Sequence, residues 1–121
     1  MSVYKVALIP GDGIGPELTD ATLRVLNAAQ ERFDLDINFV RLEAGDACLQ
    51  KTGVALPDET ISVIKDSHVC LKGPVGETAA DVIVKLRMMF DLYANIRPIK
   101  SYPRVPCLRD DIDLVFVREN T

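Results

Sequence analysis

Histidine occurs once in this chain, cysteine three times, and no apolar run approaches the roughly 20 residues that a membrane span requires. His68 opens a short apolar stretch with no partner motif around it, and reads as a strand-end residue, not a general base. Cys48, Cys70 and Cys107 are odd in number and scattered, a pattern that fits reduced core thiols better than a disulfide framework or a metal site. Basic residues are outnumbered by acidic ones, 14 to 18, so the net charge of −4 leaves no basic footprint for nucleic acid. The N-terminus lacks the charged and apolar regions of a signal peptide. A cytoplasmic protein with no membrane or nucleic-acid partner is therefore expected.

What the chain has is an apolar fraction of 48% over 121 residues, enough to fill a core, and a regular alternation of patterns. "VYKVALI" reads as a mostly buried strand bounded by Pro10-Gly11. Leu18, Ala21, Thr22, Val25, Leu26 and Ala29 then recur at spacings of three and four, predicting a helix over about 16–32 with these residues on its packed face. "DINFVRL" reads as a second strand, followed by a short helix ended by Gly53. Asp58 stands as an N-cap before the apolar stripe of "ETISVIK", and "HVCLKG" is a third strand. Thr78 and Asp81 are spaced as a capping box for a helix running to about Phe90. "LYANIRPIK" and "DIDLVFVRE" supply two more strands, separated by a loop carrying Pro103 and Pro106. Alternating strands and helices predict an α/β layered sheet with flanking helices. The last strand has no helix after it to cover its face, and a fragment of a larger fold is therefore expected.

"IPGDGIGPEL" sits where a dinucleotide-binding turn would, between a strand and a helix. Its glycines, Gly11, Gly13 and Gly15, are spaced G-x-G-x-G, and the third position of the G-x-G-x-x-G fingerprint falls on Pro16. Pro16 suits a first helical turn, whereas Asp12 and Glu17 would repel an anion there. Chemistry is better sought in the second half. Arg87 lies late in a helix, and Arg97 and Arg118 interrupt apolar strands, where an unpaired charge is costly. Each could pair with a nearby carboxylate or snorkel to solvent. Three converging guanidinium groups would instead hold a small polycarboxylate bidentately. Asp110, Asp111 and Asp113 read as a solvated loop and not as a metal site.

"LIPGDGIGPEL", "LRMMFDLYANIRP" and "VRENT", in this order, resemble the N-terminal third of the β-decarboxylating hydroxyacid dehydrogenases, the family of isocitrate, isopropylmalate and homoisocitrate dehydrogenases. The resemblance covers essentially the whole chain. It implies the fold of that family, which is not a Rossmann fold. Residues 1–100 would belong to the large cofactor-side domain, and 101–121 would cross into the second, dimerising domain. It implies that Arg87, Arg97 and Arg118 bind the malate part of the substrate. It also implies that Gly73, Pro74, Val75, Gly76, Glu77 and Thr78 form a loop near the nicotinamide end of NAD, with Glu77 or Asp81 available to the ribose.

Family members differ in the group on the third malate carbon, read by the helical turn before the first arginine. Ile83 and Val84 stand four and three residues before Arg87, on the same face of a continuous helix. The isocitrate enzymes present a serine and an asparagine six and four residues before that arginine; Asp81 and Ile83 stand there here. An aspartate repels an extra carboxylate, whereas an alkyl group gains about 0.8 kcal/mol per buried CH₂. A 3-alkylmalate is thus expected, chiefly 3-isopropylmalate converted to 2-oxoisocaproate in leucine biosynthesis, with methylmalate fitting the same logic. Isocitrate or homoisocitrate is the alternative substrate, and a catalytically inactive binding or dimerising module is the alternative function. The family's catalytic tyrosine and lysine, and the aspartates that bind Mg²⁺ or Mn²⁺, lie beyond residue 121, so this segment alone should be inactive and the full enzyme a homodimer. No catalytic residue and no metal ligand is expected within it.

Overall fold

A computed structural model describes residues 3–120 and places them in two compact units, the first ending at Ile83 and the second beginning at Val84. The first unit is built on a three-stranded parallel sheet of β1 (Tyr4–Ile9), β2 (Ile37–Arg41) and β3 (Val69–Lys72), in the order β2-β1-β3. β1 is central: Val6, Ala7, Leu8 and Ile9 are all buried, as the unbroken apolar run of a parallel strand requires. The register pairs Val6 with Phe39 on one side and with Val69 on the other.

α1 (Gly15–Phe33) connects β1 to β2, and α2 (Asp46–Thr52) with α3 (Asp58–Lys65) connects β2 to β3. The chain therefore steps from β1 to one side and returns across it to the other. In open α/β sheets the crevice at the strands' carboxyl ends lies at such a reversal, here between β1 and β3. α2 ends as expected at Gly53, whose φ is 79° and whose N–H donates to the Leu49 carbonyl. Ile61 and Ile64 of α3 are buried, and the Thr60 hydroxyl donates to the Glu43 carbonyl at 2.8 Å.

Four local expectations are corrected. On α1 the buried or half-buried positions are Gly15, Thr19, Leu23, Leu26, Ala29 and Gln30, whereas Leu18, Ala21, Thr22 and Val25 are exposed. Gly15 fixes the helix roll, because the Pro10 carbonyl lies where its Cβ would be. α3 begins at Asp58 with Pro57 in the N-cap position. The segment after Thr78 is not one α-helix. Ala80–Val84 forms a π turn, and only then does α4 (Lys85–Met89) follow. The cysteines are free, with Cys48 buried, Cys70 half-buried and Cys107 exposed, so the last is not a core thiol.

The second unit contains α4 and an antiparallel ribbon of β4 (Ala94–Lys100) and β5 (Asp113–Glu119). Its connecting loop is closed by Ser101, whose N–H donates to the Ile112 carbonyl at 2.9 Å and whose hydroxyl donates to the Arg109 carbonyl at 2.6 Å. Among the described residues, no helix is long and apolar enough to cross a membrane.

Candidate functional site

The carboxyl ends of β1 and β3 carry the turn over 10–14 and the loop over 73–78, and the two are packed backbone to backbone. Gly11 has a φ of 78°, and a Cβ there would fall on the Pro74 carbonyl. The N–H of Asp12 donates to that same carbonyl at 2.8 Å, and the N–H of Gly73 donates to the Ile9 carbonyl at 2.8 Å. Gly11 thus serves loop-to-loop contact, whereas Gly15 makes room for the Pro10 carbonyl of its own turn.

Asp12 does not point back at α1. Its Oδ2 accepts from the N–H of Asp46 at 2.8 Å and of Gly76 at 3.1 Å, and its Oδ1 accepts from the N–H of Ala47 at 3.0 Å. One carboxylate therefore joins the β1 turn, the start of α2 and the loop after β3. Asp46 continues the chain of contacts. Its Oδ2 accepts from the Glu77 N–H at 3.0 Å, and its Oδ1 accepts from the Thr78 N–H at 2.8 Å and the Thr78 hydroxyl at 2.6 Å. The Thr78 hydroxyl is therefore committed to Asp46, and the capping box expected with Asp81 is replaced by this contact. Both carboxyls lie below the usual range. For Asp12, burial works upward but is outweighed by the hydrogen bonds from the Ala47, Asp46 and Gly76 N–H groups. For Asp46, the Thr78 hydroxyl acts first, then the Thr78 and Glu77 N–H groups.

Neither aspartate role was read from the sequence. The available signal is a repeated pair, Gly11-Asp12 and Gly45-Asp46, each following the carboxyl end of a strand. Within the loop, Pro74, Gly76 and Glu77 are exposed, Gly73 and Val75 half-buried, and Thr78 buried. On the other side of the β1 turn lies an open cleft of about 430 Å³ whose lining includes Gly11, Arg41, Glu43 and Lys51. Its cations are already matched, Lys51 with Glu43 at 2.8 Å and Arg41 with Asp20 at 3.7 Å.

In the second unit the ribbon register decides where the arginines point. Asn95 is opposite Arg118 and Arg97 is opposite Phe116, so Arg97 and Arg118 share one face as diagonal neighbours. Both are exposed. The burial cost expected for them does not arise, because the ribbon face they stand on is open. The Nε of Arg97 donates to the Asn95 side chain at 3.1 Å. Arg87 is half-buried on α4, and its carbonyl accepts from the Leu92 N–H at 2.9 Å just before β4 begins. In the π turn Val82 is fully buried, Ile83 half-buried and Val84 about half exposed. Asp111 pairs with Arg109 at 2.7 Å in the exposed loop, whereas Asp113 opens β5 and pairs across the ribbon with Lys100 at 2.9 Å, so the expected loop ends before it. Among the described residues, no three His, Cys, Asp or Glu side chains come together to hold a metal ion.

Residues 5–121 match the family described as isocitrate/isopropylmalate dehydrogenase. The chain is 54% identical over its whole length to the 3-isopropylmalate dehydrogenase of Methanothermobacter thermautotrophicus, and spans 36% of that protein. It is 55% identical over 119 residues, 98% of its length, to the 3-isopropylmalate/3-methylmalate dehydrogenase of Methanocaldococcus jannaschii, and spans 34% of it. The crystal structure of isocitrate dehydrogenase from Methylococcus capsulatus superposes with a TM-score of 0.85 at 39% identity, covering 98% of this chain and 35% of that one. The chain thus spans about a third of the length of these relatives. From its central strand to the end of β5, it belongs to the isocitrate/isopropylmalate dehydrogenase family.

Proposed function

We propose that the full-length protein carrying this segment catalyses NAD-dependent oxidative decarboxylation of a 3-alkylmalate, with 3-isopropylmalate giving 2-oxoisocaproate in leucine biosynthesis. The observation that carries this reading is the β4–β5 register, which sets two guanidinium forks side by side on one face. Such a pair suits the two carboxylates of malate, each held bidentately. Arg87 is assigned to the same substrate. The arginines orient the acid and balance its charge, and remain protonated throughout. Ile83 and Val84 are assigned to the alkyl group. The names of the two relatives above support that choice.

Residues 73–78 are assigned to the nicotinamide side of NAD. The N–H groups of Gly76, Glu77 and Thr78 are already donated to carboxylates, so this loop does not suit a diphosphate. Its exposed surface, Pro74, Gly76 and the Glu77 carboxylate, suits a flat ring that is cationic until it takes the hydride, and ribose hydroxyls. NAD, when bound, supplies the acceptor for the hydride leaving the hydroxyl-bearing carbon. The hydroxyl proton is lost with it; the resulting β-keto acid then breaks the bond between its third carbon and the carboxylate, releasing CO₂ and leaving the electron pair as an enolate, which takes up a proton at that carbon to give the 2-oxo acid. The described residues do not assemble a donor set for Mg²⁺ or Mn²⁺. In this reading the metal ligands and the catalytic tyrosine and lysine belong to chain beyond residue 121. Residues 1–100 belong to the cofactor-side domain, 101–121 enter the dimerising domain, and the enzyme is a cytoplasmic homodimer. A second reading, isocitrate or homoisocitrate as substrate, is favoured by the likeness to the Methylococcus capsulatus enzyme.

The test is NADH formation by the full-length protein with Mg²⁺ or Mn²⁺, comparing kcat/KM for 3-isopropylmalate, 3-methylmalate, isocitrate and homoisocitrate. The alkylmalates are expected to lead by about tenfold or more, since two buried methylenes are worth about 1.6 kcal/mol. Arg97→Ala should lower kcat/KM for every malate by about 100-fold or more, because a lost hydrogen bond to a charged group costs about 1.5–3 kcal/mol and two are made. Unchanged kinetics would remove Arg97 from the site.

A further inference from the structure

The loop over 73–78 follows a four-residue strand, and it donates four of its described hydrogen bonds to carboxylates outside it. Asp46 is the centre of that arrangement. As the first residue of α2 it could have turned its carboxylate onto the N–H groups of its own helix. Instead Asp12 takes the N–H groups of Asp46 and Ala47, which frees the Asp46 carboxylate for Glu77 and Thr78. Gly76 leaves the room this needs, because a Cβ on it would fall on the Asp46 carboxylate. Two aspartates from two different strand ends are thus used to fix three consecutive backbone N–H groups of one loop.

We propose that Asp46, supported by Asp12, is a positioning residue for dinucleotide binding: it holds residues 76–78 in the shape that receives the cofactor before the cofactor arrives. The proposal rests on the assignment of this loop to the nicotinamide side of NAD. A loop fixed in advance loses less conformational entropy on binding, so the contribution appears as cofactor affinity and not as turnover. Asp46 touches neither substrate nor cofactor in this scheme. It acts through Glu77 and Thr78.

The experiment titrates NADH fluorescence and measures both KM values on the full-length protein and its Asp46→Asn variant. Asparagine keeps the shape but turns an NH₂ group onto an N–H that needs an acceptor. The expected result is about a tenfold rise in NADH Kd and in KM for NAD, equivalent to about 1.4 kcal/mol. KM for the alkylmalate, and kcat at saturation, stay close to wild type. If Asp46→Asn does not fold, Thr78 carries the test. Thr78→Val, which removes only the hydroxyl donor, should weaken NADH in the same direction, and Thr78→Ser, which keeps the donor, should bring affinity back. NADH affinity unchanged in Asp46→Asn or Thr78→Val overturns the proposal, and so does an equal rise in both KM values. A wild-type protein that neither binds NADH nor oxidises any malate overturns the functional reading itself, a result separable from the first because it is seen before any variant is made.

Discussion

Asp12 shows how one side chain can organise three elements. Its folded-state carboxyl is more acidic than that of the unfolded chain, because the ionised form accepts three backbone N–H bonds. A depressed carboxyl contributes its stability in full above the unfolded value, and that contribution is lost as pH falls through the lower folded value. Asp12→Asn should therefore be less stable than wild type at neutral pH by about 1–2 kcal/mol, the cost of weakening bonds to a charged acceptor. The gap should close as pH falls below about 4. Denaturant unfolding of both proteins at a series of pH values checks this, and a gap that stays constant into acid would show that charge on Asp12 is irrelevant. The sequence marks the turn plainly through Pro10, Gly11 and Pro16, yet it placed Asp12 as a repellent for anions near α1. The error is one of direction. A positive φ at Gly11 and Gly13 swings the carboxylate toward α2, and nothing in local spacing reports where a side chain 34 residues from its partner will aim.

Among the elements, the strands were the most legible and the helix faces the least. β1, β3, β4 and β5 are bounded by prolines, glycines or charges that end an apolar run, so their limits follow from composition. α1 is apolar around more than one side, and periodicity alone could not choose between Leu18-Ala21-Val25 and Thr19-Leu23-Leu26. The choice is made by the contact of Gly15 with the Pro10 carbonyl, a tertiary fact. The segment from Thr78 to about Phe90 reads as one α-helix in sequence, and the π turn escapes because its hydrogen-bond pattern leaves no mark in a mostly apolar stretch such as "DVIV". Under the proposed function that turn bears on specificity. π turns in helices are concentrated at functional sites, and this one carries Ile83, half-buried, just before the helix of Arg87. Ile83→Asn in the full-length enzyme is expected to lower kcat/KM for 3-isopropylmalate by about tenfold, as apolar contact is lost, and to improve the isocitrate ratio. Selectivity that does not move would assign Ile83 to packing and require the alkyl group to be read elsewhere.

At the scale of the whole chain, the two units differ in how much of their own surface they bury. The first has a central strand with Ala7 and Ile9 at 0% exposure and helices packed on the sheet, which is enough for a cooperative core. The second is a ribbon of two strands, and every residue of β5 is exposed. One face of it carries Ile96, Pro98, Val115 and Val117, and the other sets Ile99, Leu114 and Phe116 beside the two arginines. A two-stranded ribbon is marginal by itself in water, and local opening of its backbone hydrogen bonds is expected to cost little. Hydrogen exchange on the 121-residue chain should then divide at the unit boundary, with protected amides in β1 and its neighbours and fast exchange throughout β4 and β5. In the full-length protein the same ribbon amides should be slow, because an apolar surface of this kind is stable only when something covers it. Slow ribbon exchange in the short chain that speeds up on dilution would mean that two copies cover one another. Slow exchange at every concentration would show that the ribbon is held by contacts within the chain, and the division into a self-sufficient unit and a dependent one would fall.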